Sequence, residues 1–394
     1  MNVPNFDPKI LASMVLSAGA VEMREVPKTV SNDEVEHLPR EKQPFLYSSG
    51  NWGPGYVTVK SLVARENILD WLIRILAHKI MASLGGKDAK LDFMAGNITG
   101  GVIPGFKLSM RLARLLYHPV HFAYVGGSRK ESTLIPIVDI NKDQLESNLI
   151  KLSDAIVQNG RPFSFVAGVV PGGMIPGYML SIIFSVPFVY IRDQQKKGGQ
   201  KELITGIEGH PLIKKGDVGL VVGLPKNFLE SSNAGCDVLT SAGYKATSAG
   251  EILQRFDQDQ LGYIGDIECK SEGGDLYIPL QSVGVDVEEL VNFAQTTCNS
   301  VEALRNAGYP IGKGYFVDTA ATILYYDNPE ANKALREHGI NMVYLFTLSD
   351  LLSAAEEDGK FPAKAIADYR SFLQSPLKWQ EERGLKPVKG GGTL

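Results

Sequence analysis

Apolar and polar residues alternate in blocks that predict strands and helices in turn. Residues Ile68 to Leu84 carry apolar side chains at helical spacing, and the apolar stretch Ile10 to Val21 also predicts a helix. Short apolar runs separated by glycine, proline and polar residues predict strands at 45–50, 56–59, 91–94, 121–125, 135–138, 163–166, 187–191, 217–222, 286–291, 314–318 and 342–348. Because strands and helices alternate, the pattern predicts parallel sheets with helices on both faces.

A glycine-rich loop occurs twice between a predicted strand and a predicted helix. The copies are Ala95–Gly105 and Ala167–Gly177, and both read A-G-x-x-x-G-G-x-I-P-G. Such a loop exposes backbone N–H groups at a helix N-terminus, where anions are favoured. It is equally typical of a tight turn that needs glycine only for its dihedral angles. The candidate phosphate-binding residues are Gly96, Asn97, Thr99, Gly100 and Gly101 in the first copy and Gly168, Gly172 and Gly173 in the second.

The segments around the two loops repeat as well. Residues 135–192 match residues 56–127, including the strand before the first helix, and we expect the two segments to superpose about a pseudo-twofold axis. A weaker pair of matching segments begins at Asp217 and at Asp286, and each leads through a polar turn into a helix. The repeats predict an internal duplication, with one unit either inserted into the other or following it in tandem.

Composition and charge narrow the functions that are open to the chain. The 394 residues carry a net charge of -4 without a cluster of Lys and Arg, which disfavours nucleic acid as a partner. The longest apolar run, Met179 to Tyr190, is too short to span a bilayer, so no membrane partner is expected. The three cysteines show neither metal spacing nor a disulfide framework, and no signal-peptide pattern is present. We therefore expect no metal site built from protein ligands, and a reducing, cytoplasmic location.

Four further segments, together with the glycine loops, carry a resemblance to a known family. They are the N-terminal stretch 10–21, the strand and turn 45–57, the polar loop 190–206 and the strand and helix 345–352. In this order they resemble the type I phosphoribosyltransferases, and among them orotate phosphoribosyltransferase. The resemblance covers most of residues 10–355. It implies an α/β, parallel-sheet type I phosphoribosyltransferase-like fold, duplicated within the chain.

The resemblance also suggests how the chain is divided. Residues 1–134 would hold an N-terminal hairpin and the first half-unit, and residues 135–270 a second unit, inserted or in tandem. Residues 271–360 would complete the first unit. Residues 361–394 would form a terminal helix and a glycine-rich tail, which we expect to be mobile.

The family's diagnostic motif is a hydrophobic strand that ends in two adjacent carboxylates, followed by a Thr-Thr-Gly-Gly-type loop. The carboxylates hold the ribose hydroxyls of phosphoribosyl pyrophosphate (PRPP), and the loop holds its 5′-phosphate. The best match here retains Thr296 and Thr297, with Ser300 beyond them, but has Asn292-Phe293 in place of the carboxylates. Another candidate strand, which ends at Val222, also lacks both carboxylates.

The resemblance assigns roles to several other residues. It makes Thr296, Thr297 and Ser300 candidates for phosphate binding. The loop 192–201 is similar to the family's mobile catalytic loop, which makes Arg192, Lys196 and Lys197 candidate catalytic charges. A solvated basic loop is the alternative interpretation. A substrate-contacting lysine of the family is replaced by Glu22.

These departures predict an orotate phosphoribosyltransferase-like protein that is catalytically degraded and serves in binding or assembly. Loss of two carboxylate contacts would lower the rate by roughly four orders of magnitude. The first alternative is an active phosphoribosyltransferase that uses PRPP and Mg²⁺ with an altered ribose site. The second is a regulator that senses a phosphate ligand. The expected partners are a phosphate-bearing small molecule and either further copies of the chain or a larger assembly.

Overall fold

The computed structural model describes residues 6–28, 35–47, 49–125, 137–139, 142–192, 203–224, 227–256, 278, 281–306 and 314–388. The strands are β1 (Val21–Met23), β2 (Phe45–Leu46), β3 (Trp52–Gly53), β4 (Gly55–Val57), β5 (Phe93–Asn97), β6 (His121–Val125), β7 (Ile137–Asp139), β8 (Phe165–Val169), β9 (Phe188–Ile191), β10 (Ile204–Thr205), β11 (Val218–Val222), β12 (Lys245–Ser248), β13 (Val283–Val291), β14 (Phe316–Tyr325) and β15 (Asn341–Thr347). The helices are α1 (Pro8–Ser17), α2 (Glu66–Ser83), α3 (Val102–Leu116), α4 (Lys142–Asn159), α5 (Met174–Ile183), α6 (Phe228–Ser241), α7 (Ala249–Phe256), α8 (Gln295–Arg305), α9 (Pro329–Glu337), α10 (Leu348–Asp358), α11 (Ala363–Gln374) and α12 (Pro376–Glu381).

Two sheets with the same strand arrangement form the body of the protein. The first has the order β7-β6-β5-β13-β14-β15, and the second has the order β10-β9-β8-β11-β12. In each sheet the strands are parallel except for the edge strand, β7 or β10, which is antiparallel to its neighbour. We call the first sheet with its helices the first unit and the second sheet with its helices the second unit. All strands of the second sheet lie in the chain between β7 and β13, which is the order of a nested arrangement and not of a tandem one.

The strand β7 differs from the sequence-based match. It pairs with β6 at the edge of the first sheet, the place that β10 takes in the second. The presumed counterpart at 56–59 overlaps β4, which pairs with β1 in a separate small sheet. The prediction that residues 56–127 and 135–192 superpose is therefore wrong for the leading strand. The order helix, strand, helix, strand that follows is the same in both segments.

Aromatic contacts at matching places underline the likeness of the two units. Phe93 on β5 packs edge-to-face on Tyr315 at 5.0 Å between ring centres, and Phe165 on β8 packs on Tyr244 at 5.9 Å. A second matched pair of contacts joins the helix after each loop to the next strand. These contacts are Phe106–Phe122 and Tyr178–Phe188, each with ring centres 5.8 Å apart.

The glycines of the two loops are needed because backbones approach one another closely there. None of the described glycines with positive φ belongs to either loop, so unusual dihedral angles do not explain them. A Cβ atom at Gly101 would lie 2.1 Å from the carbonyl oxygen of Val287 on β13. A Cβ atom at Gly173 would lie 2.4 Å from the carbonyl oxygen of Val222 on β11. The dihedral interpretation of the loops is therefore replaced by one of packing against the neighbouring strand.

A polar cluster joins the two units between α3 and α5. Lys107 is buried, and its Nζ donates to Tyr178 Oη at 2.7 Å and to Glu66 Oε1 at 2.5 Å. The Tyr178 hydroxyl donates in turn to Glu66 Oε2 at 2.7 Å. Burial and the nearby Glu66 raise the pKa of Tyr178, which keeps its hydroxyl protonated as a donor. The cluster thus satisfies a buried ammonium group at the contact of the units.

The C-terminal helices cover the N-terminal strands. The terminal helix predicted at 361–380 is two helices, α11 and α12, because Pro376 cannot continue the hydrogen bonding of α11. Gln380 accepts from the Trp52 amide at 2.8 Å, and its own amide donates to Asn51 at 3.1 Å. Residues 389–394, expected to be mobile, lie outside the described residues. No helix in the described ranges is long and apolar enough to cross a membrane.

We expect Gly101→Ala and Gly173→Ala each to lower the free energy of unfolding by about 2–3 kcal/mol, because each adds a methyl group against a fixed backbone oxygen. Urea unfolding followed by circular dichroism measures this. Gly100→Ala is the matched control, since its methyl group would meet the flexible end of Glu289, and it should cost less than about 1 kcal/mol. Equal losses in all three variants would contradict the close-approach explanation.

We expect Tyr178→Phe to destabilise the protein by about 1–2 kcal/mol, because Lys107 and Glu66 lose one hydrogen bond each in a buried place. Thermal unfolding measures the change. Tyr117→Phe is the control, because Tyr117 is 90% exposed and its hydroxyl should contribute nothing measurable. A loss no larger than that of the control would show that the cluster does not stabilise the contact of the units.

Candidate functional site

The first glycine loop presents free backbone donors at the carboxyl end of the first sheet. Its outer N–H groups are used, because Ile98 donates to Val125 at 3.0 Å and Gly101 donates to Asn97 at 2.9 Å. The N–H groups of Thr99 and Gly100 make no hydrogen bond within the described ranges. The second loop has Pro171 where the first has Thr99, so it has lost one of these donors. The first loop is therefore the better cradle for an anion.

Two adjacent carboxylates, Glu288 and Glu289, lie near the carboxyl end of β13. A Cβ atom built on Gly100 would fall 1.8 Å from Glu289 Oε2, so this carboxylate lies directly against the loop. Glu288 is only 8% exposed. The structure thus places the Glu289 carboxylate beside the glycine loop, with Glu288 preceding it on the same strand, whereas the sequence match found no carboxylates there.

The correction comes from the position at which β13 ends. The strand continues to Val291, and α8 begins at Gln295, so the connection is residues 292–294. Thr296 and Thr297 lie in the first turn of α8 and not in the loop after the strand, and Thr297 is buried. The match that put Asn292-Phe293 in place of the carboxylates was out of register by four residues.

Helix α8 begins without a side-chain cap. Its N-cap residue is Ala294, whose φ of 58° lies in the left-handed region and whose methyl group cannot accept a hydrogen bond. The preceding Phe293 is buried in the core, and the Asn292 carbonyl accepts from Asn328 Nδ2 at 2.9 Å. An anion would be favoured at this helix end by its unneutralised partial charge.

The second unit contributes a cation to the first loop. Arg192 follows β9, and its Nη2 donates to Thr99 Oγ1 at 2.6 Å while the side chain is only 6% exposed. Its guanidinium carbon lies 5.5 Å from the centre of the Tyr190 ring. Lys196 and Lys197, together with the rest of the loop predicted to be mobile, lie outside the described residues. Of the three predicted catalytic charges, Arg192 is thus placed at the first loop.

Asn97 and Ser300 are turned away from the loop's outer face and toward a buried carboxylate. Asn97 Nδ2 donates to both oxygens of Asp286, at 3.0 and 3.1 Å, and Ser300 Oγ donates to Asp286 Oδ1 at 2.6 Å. Both were predicted to bind phosphate, but in the structure their side chains are occupied beneath the loop. Asp286 was not among the predicted site residues.

The corresponding strand end of the second unit, as far as the structure describes it, carries serine hydroxyls and no carboxylate. Strand β11 ends at Val222, and Gly223 follows where the first unit has Glu288. A Cβ atom on Gly223 would meet Ser231 Oγ at 2.4 Å, and the same hydroxyl accepts from the Leu224 amide at 2.7 Å. The absence of a carboxylate pair from this strand end agrees with the sequence analysis. Gly168, Gly172 and Gly173 therefore form a loop that has no acidic neighbour of this kind.

The missed residues left a signal in the sequence. The strand Val283–Val291 reads V-G-V-D-V-E-E-L-V, with Asp286 two positions before the pair Glu288-Glu289. An alignment on the carboxylates, instead of on the Thr-Thr pair, identifies Glu288 and Glu289, but it does not show that Asp286 is buried. Within the described ranges, the side chains of His, Cys, Asp and Glu form no group of three or more that could hold a metal ion.

Comparisons with known proteins show similarity to one enzyme. No family model matches the chain. The orotate phosphoribosyltransferase of Roseobacter denitrificans is 34% identical over 96 residues, which are 24% of this chain and 40% of the relative. That of Ruegeria sp. is 33% identical over 96 residues, again 24% and 40%, and that of Sinorhizobium fredii is 29% identical over 109 residues, 27% and 42%. The chain thus spans about two fifths of the length of these relatives.

Two of the solved structures with similarity to this chain are orotate phosphoribosyltransferases. Orotate phosphoribosyltransferase from Francisella tularensis has a TM-score of 0.33 at 9% identity, covering 92% of this chain and 96% of that one. The enzyme from Aeropyrum pernix has a TM-score of 0.28 at 14% identity, with 89% and 99% covered. The chain resembles the type I phosphoribosyltransferases, and the curated relatives that carry this resemblance are orotate phosphoribosyltransferases.

Proposed function

We propose that the first unit binds PRPP, as its complex with Mg²⁺, and that the protein turns it over slowly or not at all. The observation that carries the proposal is the position of Glu288 and Glu289. Glu289 lies against the first glycine loop with its free N–H groups, and Glu288 precedes it on β13, the strand that leads to the uncapped start of α8.

The order of these groups fits the order of groups in the ligand. PRPP has a pyrophosphate, a ribose with two free hydroxyls, and a 5′-phosphate. The loop N–H groups suit the pyrophosphate, the carboxylates suit the ribose hydroxyls, and the helix start suits the 5′-phosphate. Mg²⁺ accompanies the pyrophosphate as part of the substrate and neutralises part of its charge.

Arg192 supports the anion at the loop from the second unit. A guanidinium group stays charged at every relevant pH and binds phosphate oxygens through several donors. Among the residues that the structure describes, its hydrogen-bond partner is the neutral Thr99 hydroxyl, and we propose that its charge serves an anion at the loop. In this proposal the second unit, inserted into the first by a duplication, supplies Arg192 and stabilises the site without a ligand of its own.

Slow turnover is proposed because of the connection after β13. The family's loop of small residues is replaced by Asn292, Phe293 and Ala294, with Phe293 buried and Asn292 held by Asn328. Side chains at these three positions leave the backbone less room to approach the 5′-phosphate than glycine residues would. Glu22, which replaces a family lysine, is paired with Arg24 at 2.8 Å and offers no positive charge.

An active phosphoribosyltransferase is the second candidate function, and the carboxylate pair favours it. The rate loss of four orders of magnitude expected above assumed that both carboxylates were absent. With Glu289 against the loop and Glu288 next to it on β13, that part of the argument for a degraded enzyme no longer applies. Turnover then depends on how well the altered connection holds the 5′-phosphate.

We expect Glu288→Gln and Glu289→Gln each to weaken Mg²⁺-PRPP binding about tenfold or more, because each loses a charge-assisted hydrogen bond of roughly 1.5–3 kcal/mol. Isothermal titration calorimetry measures the affinity and the stoichiometry, which should be one per chain. Glu381→Gln is the control, because Glu381 is exposed at the end of α12, and this variant should bind as the native protein does. Two sites per chain, or no binding by the native protein, would overturn the proposal.

We expect turnover with orotate, PRPP and Mg²⁺ to stay below about 1 per second, the lower end of the ordinary enzyme range. Loss of orotate absorbance measures it, with a panel of other bases as further acceptors. Turnover of the native protein at about 1 per second or faster would instead establish an active transferase, provided that Glu289→Gln abolishes this turnover and Glu381→Gln leaves it unchanged.

A further inference from the structure

A buried polar network connects the first glycine loop to α8. Asp286 has no exposed surface, and three hydrogen bonds from Asn97 and Ser300 end on its carboxylate. Asn97 is the last residue of β5, where the loop begins, and Ser300 lies in the second turn of α8. One carboxylate therefore joins the two elements that we propose hold the pyrophosphate and the 5′-phosphate.

The second unit has an apolar residue in place of Asp286. In register, Asp286 pairs with Ala95 of β5, and Val221 pairs with Ala167 of β8. Ala95 and Ala167 are the first residues of the two loop copies. Val221 therefore occupies the same place in the second sheet that Asp286 occupies in the first.

The partners of Asp286 are replaced as well. Asn97 corresponds to Val169 in the loop repeat. A Cβ atom on Gly235 of α6 would lie 2.6 Å from Val221 Cγ1 and 3.0 Å from Val169 Cγ2, so Gly235 stands where Ser300 stands in the first unit. The same three places thus hold a polar network in one unit and apolar contacts in the other.

The apolar version shows that the fold does not require the network. Burial of a carboxylate without a cation opposes folding, and hydrogen bonds offset only part of that cost. The network occurs in the unit with the carboxylate pair and not in the unit without one. Its position beneath the candidate site, and not a need of the fold, accounts for it.

The geometry suits the ionised form of Asp286. Its burial raises its pKa to about 7, while the hydrogen bonds from Ser300 and Asn97 act in the opposite direction. All three bonds have Asp286 as acceptor, and a protonated carboxyl group would give up part of that capacity. The network therefore loosens as Asp286 takes up a proton.

Few other ionisable groups face Asp286 in the described ranges. On α8, the nearby Cys298 thiol has a pKa raised by burial to about 12, so it stays neutral over the range in question. Glu288 follows two residues later on the same strand. The adjoining strands place Ala95 and Ala320 beside Asp286, and neither residue can titrate.

We propose that Asp286 is a positioning residue, which holds the first glycine loop and α8 at the spacing that the phosphoribosyl ligand requires, through Asn97 and Ser300. The inference rests on the proposed function for the identity of the ligand. All three hydrogen bonds to Asp286 are formed above neutral pH, and they weaken below it as the carboxylate takes up a proton.

Calorimetric titration with Mg²⁺-PRPP tests the link to the ligand. We expect Asp286→Asn to bind about tenfold more weakly than the native protein at about pH 8, and the ratio to approach one at about pH 5.5, where native Asp286 is protonated. The ratio cancels the titration of the ligand's own phosphates. The variant Asn97→Val/Asp286→Val/Ser300→Gly, which copies the second unit, should lose affinity to the same degree. A pH-independent ratio, or native affinity in both variants, would overturn the inference.

Unfolding by urea shows whether the triple variant folds. Its pH dependence is also a test, independent of the ligand, of whether Asp286 titrates. An acid whose pKa is raised on folding stabilises the folded state fully only below its unfolded-state pKa, and this stabilisation is lost as the pH rises through the folded value. The native protein should therefore lose stability relative to the triple variant as the pH rises from about 4 to about 7. Parallel stability curves would overturn the assignment of the titrating group to Asp286.

Hydrogen exchange without ligand separates the two proposals. At about pH 8, and after correction for intrinsic rates, residues 97–101 and the first turn of α8 should be less protected in Asp286→Asn than in the native protein, whereas the second loop, 169–173, should be unchanged. Equal behaviour of the two loops would overturn the inference whatever the ligand does. If the exchange pattern is as expected but the protein does not bind PRPP, the proposed function is overturned and the role of Asp286 is not.

Discussion

Close contact between each glycine loop and the strand beside it is the constraint from which the rest of the site follows. Gly101 lies against the carbonyl of Val287, and no side chain fits between them. That contact sets the loop over the carboxyl end of β13, so the residues that follow Val287 come to lie beside it. Glu289 then faces Gly100, and Asp286 lies below the loop within reach of Asn97. A packing requirement of the backbone thus decides which side chains can meet a ligand.

The same contact occurs in the second unit without the same side chains. Gly173 lies against Val222. Val221 precedes Val222 where the first unit has Asp286, and Gly223 follows Val222 where the first unit has Glu288. The loop geometry is therefore compatible with an apolar strand end. The two units share the loop and strand arrangement and differ in the side chains that it carries. In addition, Arg192 of the second unit places a positive charge at the loop of the first. The contact between units around Lys107 makes that arrangement a stable one.

Much of this fold is readable from periodicity, and the limits are physical. Alternating helices and strands and the repeated loop predict two similar parallel sheets, but they cannot show which neighbour an edge strand takes, and β7 was misassigned for that reason. The Thr296-Thr297 pair placed the motif match at Asn292-Phe293, four residues beyond the carboxylates Glu288-Glu289. Asp286 could not be predicted, because nothing local marks a carboxylate that tertiary structure buries among an amide and a hydroxyl.

Binding and turnover make different demands on such a site. The loop, the carboxylates and a helix end can hold the ground state of a ligand, and equal stabilisation of ground and transition states does not raise the rate. Acceleration requires groups whose interactions with the ligand become stronger as the ribose becomes cationic and the pyrophosphate departs. It also requires that the pyrophosphate and the 5′-phosphate stay held in position while the bond between ribose and pyrophosphate breaks. The side chains of Phe293 and Ala294 leave one of those ends less room at the backbone than glycine residues would. The first unit is therefore better built for holding the ligand than for breaking it.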